Sequence, residues 1–143
     1  MIMYQLTDLG QLPSSGTFDQ TNAQALNAAG QYVGNWFSFD GTVHCRGFLG
    51  SDQQAPVGIG IFPLVGHMSR ANDINDAGIV VGGHWQPKSP ITKHDGVFLY
   101  SASSTITQDI TPAIAQSIAI EQIFPYAINN NGVILGAIHE PNV

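Results

Sequence analysis

Charge is scarce in this chain. Only 10% of its 143 residues are Asp, Glu, Lys or Arg, against roughly 25% in an ordinary soluble domain, and four of them are basic. With a net charge of −6 there is no cluster of Lys and Arg to neutralise phosphates, so nucleic acid is not an expected partner. Cysteine is nearly absent too. Cys45 stands alone, which excludes an intrachain disulfide and a cysteine metal cluster, and between His44 and Arg46 it reads as a small buried apolar side chain. No apolar run approaches the roughly 20 residues of a membrane-spanning helix, so no membrane partner is expected. The start of the chain has neither a basic region nor a long apolar stretch, and no signal peptide is read there. Glutamate occurs only at Glu121 and Glu140, a thin supply for the paired acids of a glycosidase. A Gly-x-Ser-x-Gly elbow, a phosphate loop and a dinucleotide fingerprint are all missing, Gly58-Ile59-Gly60 being too short to count. No enzyme activity and no cofactor are expected.

What the chain does have is repetition. Ala25–Gly34, Asp73–Gly82 and Ala127–Gly136 share one pattern: an apolar residue, Asn, two spacers, Gly, three mostly apolar residues and Gly. Their Asn residues, Asn27, Asn75 and Asn129, are 48 and 54 residues apart, a period that signals a repeat architecture. Each decapeptide reads as a hairpin, with Asn opening a turn and Gly30, Gly78 or Gly132 supplying positive φ before the next strand. Further strands are expected after the first two hairpins, at Val43–Leu49 and Lys93–Leu99, and before each hairpin, at Tyr4–Gly10, around Gly60–Val65 and at Thr105–Ile110. Thr111-Pro112, with apolar residues spaced by four, suggests a short helix to Ile118, while the alternation over Ile118–Ile123 suggests a strand beyond it.

These elements make an all-β single domain of three four-stranded repeats, about 1–50, 51–100 and 101–143, the last incomplete. Parity selects among such folds. Tyr32 and Trp36 oppose Val33 and Phe37, Val81 opposes Val80, and Leu135 opposes Ile134, so both faces of each hairpin read as buried. A propeller blade needs that, and three blades cannot close a ring, so the expectation is a partial β-propeller completed by self-association. A pseudo-three-fold β-prism or β-trefoil is the alternative by size.

The three hairpins, Asp8-Leu9-Gly10, Gly47-Phe48-Leu49 and Val97-Phe98-Leu99 resemble the bacterial extracellular repeat family named for its His-Ala-Phe tripeptide. The tripeptide itself is absent. The resemblance implies a propeller-like architecture and an extracellular setting, and brings no characteristic activity.

Candidate site residues come from the loops after each hairpin. Trp36, Phe37 and Trp85 could form aromatic platforms at loop mouths, with His44, His84, Lys88 and His94 hydrogen-bonding a glycan or small polar metabolite. Packing of the tryptophans between blades is the competing reading. Asp73-Ile74-Asn75-Asp76-Ala77-Gly78 has the oxygen-rich look of a calcium loop, but the other copies drop the carboxylates, which favours a plain turn and no metal. His44 and His94 occupy equivalent repeat positions, which explains them without a shared zinc. The expected function is a non-catalytic binding module. A structural or protein-interaction repeat, and a small hydrolase or lyase, are the alternatives.

Overall fold

The computed structural model describes residues 18–60, 67–86, 96–116 and 122–140. The strand expected at Tyr4–Gly10 and most of that around Gly60–Val65 lie outside them.

Each repeat begins with a hairpin whose turn is closed by its asparagine. Gly30 N–H donates to Asn27 O at 3.1 Å and Asn27 N–H to Gln31 O at 2.9 Å, and the same two bonds recur at Asn75 and Asn129. The side-chain Oδ1 of Asn27 accepts the N–H groups of Ala29 and Gln31, and that of Asn129 accepts those of Asn131 and Val133. Gly30, Gly78 and Gly132 have φ of 74°, 73° and 78°, as the sequence predicts.

The first sheet holds β1 (Phe18–Leu26), β2 (Gln31–Phe39), β3 (Val43–Ser51) and β4 (Gln54–Ile59), all antiparallel neighbours in sequence order. The second repeats this with β5 (Met68–Ile74), β6 (Ile79–Trp85), β7 (Gly96–Ser101) and β8 (Ile106–Asp109). A short helix, α1 (Thr111–Ala115), follows, and the third sheet is the hairpin of β9 (Gln122–Ile128) and β10 (Ile134–His139). The chain is therefore all-β in three sheets of four, four and two strands among the described residues.

Three expectations shift. The third repeat, expected to be incomplete with three strands, has two described strands. Ile106–Asp109 closes the second sheet rather than opening the third, because the short turn at 102–105 folds it back onto β7. The helix ends at Ala115, with Pro112 in its first turn; the expected cap, Thr111, instead accepts Val97 N–H at 2.8 Å.

One feature common to all copies has no sequence signature. The residue three before each turn Asn, namely Gln24, Asn72 or Tyr126, is bulged out of its ladder. Opposite the bulge sits the last Gly of the decapeptide. A Cβ on Gly34 would strike Asn22 O and lie 2.8 Å from the Phe48 ring, and one on Gly82 would strike Arg70 O and the Phe98 ring. In the first two copies that Gly lets an aromatic ring approach the backbone.

The sheets stack in chain order. Val33, Leu49 and Ile59 of the first pack against Ala71, Ile74, Val80, Phe98 and Tyr100 of the second. The opposite face of the second sheet offers Val81 and Val97 to Ile123, Ile128, Ile134 and Ile138 of the third. The middle sheet is thus buried on both faces, as the parity of its hairpin predicts.

Candidate functional site

Of the described loop-mouth residues, Phe37 and Trp85 come together, but in a packed cluster rather than at a pocket mouth. Trp85 is 4% exposed and clusters with Cys45 and Met68, with Phe37 packed against them. The Arg70 guanidinium lies over both aromatic rings, 5.3 Å from the Phe37 centroid and 5.4 Å from that of Trp85. For Trp85 the core reading holds, and no open platform exists there. Trp36 is half-buried on β2, its Nε1 buried with no acceptor among the described residues. His44 is held away at the start of β3, its Nε2 3.0 Å from Asp40 Oδ1 on the β2–β3 turn, and its hydrogen bond is the main cause lowering the Asp40 pKa. Lys88 and His94 lie outside the described residues.

His84 is buried beside Asp109, with Nε2 3.4 Å from Oδ1, and its ring meets that of His67 edge-on at 5.6 Å between centroids. Burial works to raise the Asp109 pKa, but hydrogen bonds from Thr111 and the nearby His84 outweigh it, leaving the carboxyl below its usual value. The pair ties the end of β6 to that of β8. Among the described residues, no group of three His, Cys, Asp or Glu is placed to hold a metal ion. Burial pushes the Cys45 thiol up to about 11, and its Sγ sits 3.4 Å from Ser69 O. It is a packed thiol, not a nucleophile.

Between α1, the middle sheet and the third hairpin lies a cavity of about 340 Å³ lined by apolar side chains, among them Val97, Ile110, Ile114 and Ile138. No described polar side chain points a ligand into one orientation there.

The polar groups that do form a pattern are the turn asparagines. Asn27 Nδ2 donates to Asn75 O at 3.0 Å, and Asn75 Nδ2 donates to Asn129 O at 3.1 Å. One residue on, Ala28 N–H donates to Asp76 Oδ1 at 2.9 Å and Asp76 N–H to Asn130 Oδ1 at 2.9 Å. The repeat motif is therefore a ladder between sheets as well as a turn within each. Those bonds, led by the one from Ala28 and joined by Asn130 Nδ2, hold the Asp76 carboxyl below its ordinary pKa. The bulged Asn72 donates through Nδ2 to Pro125 O, and Ile128 N–H reaches Asp73 Oδ2 at 2.8 Å.

No protein-family model, curated protein or solved structure matches this chain. Its site is therefore read from its own geometry.

That geometry has an open end. Within the described residues neither Asn129 Nδ2 nor Asn130 N–H has an acceptor, although their counterparts in the first two copies do. On the same side of the third sheet Leu135 is 65% exposed, where its counterparts Val33 and Val81 are both 0% exposed. Val133 and Tyr126 are exposed alongside it. Parity indicates which face Leu135 occupies; here no sheet among the described residues covers that face.

Proposed function

We propose that this chain is a non-catalytic repeat module, a partial β-propeller, that works by association through the outer face of its third sheet. The observation that carries this reading is Leu135, an exposed apolar residue at the position that buries Val33 and Val81 against a following sheet. Two hydrogen-bond donors at its rim, Asn129 Nδ2 and Asn130 N–H, repeat the inter-sheet ladder and await acceptors of the same spacing. A partner that fits is another β-hairpin with apolar residues on one face and a turn carbonyl plus an Asx side chain at its tip. The reading as a binder of glycans or small polar metabolites is less well supported, since Trp85 and Phe37 pack into the core cluster.

The test is an NMR titration with a cyclised peptide spanning Met68–Trp85, which carries Ile74 and Val80 on one face and Asp76 at its turn. Docking shifts the amides of Asn130 and Leu135 and the side-chain amide of Asn129, leaving the equivalent groups at Asn27 and Asn75 in place. Unshifted resonances at millimolar peptide contradict the reading.

A further inference from the structure

The geometry points to a second association site in this chain: the free edge of β10, which receives an extended strand in trans that places an aromatic side chain over Gly136. This site lies on the edge and inner face of the third sheet, so it goes beyond the docking reading of the outer face. In the first two sheets the central strand is paired on both sides, β2 between β1 and β3 and β6 between β5 and β7. Their equivalent, β10, pairs with β9 alone among the described residues. An edge strand of this kind presents a row of backbone donors and acceptors, the template for strand addition.

The two four-stranded sheets show what the added strand must carry. Phe48 stands opposite Gly34 and Phe98 opposite Gly82, at the same register. Both glycines and both rings are buried, and a Cβ on either glycine would collide with the facing ring. Gly136 holds the same place in β10, but it is exposed, and the atoms nearest to a Cβ there are backbone atoms of Phe124 and Pro125. The ring is missing.

The space such a ring would take is the apolar cavity between α1, the middle sheet and the third hairpin. At the first interface the Phe98 ring lies against Gly82 and Gly60 and shares its cluster with Ile59. Ile59 pairs with Gly47 and Ile110 N–H donates to Val97 O, each partner being the residue before the Phe, so Ile110 is the equivalent of Ile59. Ile110 lines the cavity together with Gly136. An apolar cavity of about 150 Å³ takes a benzene ring, so one of about 340 Å³ takes a Phe side chain. The next residue of the strand is set as well. Leu49 pairs with Val33 and Leu99 with Val81, so it falls beside Leu135 and is apolar. The partner is therefore a protein segment that runs antiparallel to β10 and reads Phe-Leu at this register.

The test uses the full chain, labelled for NMR, and an acetylated peptide of Gly96–Ser101 with two lysines appended for solubility. The peptide slows exchange of the Ile134–His139 amides that do not bond to β9, and its Phe ring gives contacts to Gly136 Hα and the Ile110 methyls. Phe98→Ala in the peptide weakens binding at least about tenfold, because the ring no longer fills the cavity. Moving the Phe by one position in a peptide of the same composition turns the ring to the other face and abolishes its contacts to Ile110. No binding at millimolar peptide, equal binding of the Ala peptide, or ring contacts to Leu135 in place of Gly136 overturns the proposal. So does protection of those same amides in the chain alone, which means that the slot is filled from within. Outer-face docking is read with a different peptide at the turn residues Asn129 and Asn130, so either site can fail without the other.

Discussion

Replacing the middle ladder asparagine by aspartate separates its two jobs. Asn75 is buried; its Oδ1 accepts Ile79 N–H at 2.9 Å and its Nδ2 donates to Asn129 O at 3.1 Å. Asn75→Asp keeps the acceptor for the turn and loses the donor to the next sheet, setting a carboxylate oxygen against a carbonyl oxygen. The lost bond is worth about 1 kcal/mol, and a buried charged acceptor left without a donor adds about 1–3 kcal/mol, so the variant is destabilised by roughly 2–4 kcal/mol. Asn129→Asp makes the same chemical change where no sheet follows. Its Oδ1 still serves Asn131 and Val133, and the cost stays within about 0.5 kcal/mol. Urea unfolding in dilute protein reads both as midpoint shifts at unchanged slope. Equal shifts for the two variants refute the assignment of Asn75 Nδ2 as an inter-sheet tie.

Three further outcomes follow from the packing. Gly82→Ala places a methyl against Arg70 O and the Phe98 ring and destabilises the protein by roughly 3 kcal/mol, read from the same urea curves; a neutral Gly82→Ala rules out the close approach of that ring. Cys45, 1% exposed with its thiol pKa pushed up to about 11, reacts with a thiol reagent only after unfolding, so labelling at pH 8 tracks global opening; rapid labelling of folded protein contradicts its burial. Asp76 has a folded pKa below its unfolded value of about 3.9, so its contribution is present above that pH and is lost as pH falls through the lower folded value. Melting temperature measured from pH 5 to 2 therefore falls, and Asp76→Asn flattens that fall; identical acid limbs for the two proteins count against the clamp.

Sequence reading reached the local half of this structure and missed the half that depends on neighbours. The positive φ of Gly30, Gly78 and Gly132 was legible because a turn of this kind needs it whatever surrounds it. The turn role of Asn27, Asn75 and Asn129 was legible for the same reason, but their Nδ2 bonds were not, since the acceptor lies 48 or 54 residues away. Burial of both faces of the middle sheet followed from parity, whereas exposure of Leu135 did not, because alternation shows which face a residue takes and not whether a neighbour covers it. Trp85 suited both a loop mouth and a core, the core better, and its contacts with Met68 and Cys45 decide for the core. The bulges at Gln24, Asn72 and Tyr126 fall on unrelated side chains, so nothing in the residue types marks them. One signal of the ladder was present and unread. The residue after each Asn is Ala28, Asp76 and Asn130, so the acceptor is missing from the copy that has no described sheet before it.

The most direct test of the ladder and its open end is solvent exchange of the three asparagine side-chain amides, followed by NMR with and without the Met68–Trp85 hairpin peptide. The account predicts slow exchange for Asn27 and Asn75 in both samples, and exchange at Asn129 that is fast in the protein alone and slows when the peptide is added. Exchange at Asn129 as slow as at Asn75 in the protein alone, or unchanged by the peptide, contradicts it.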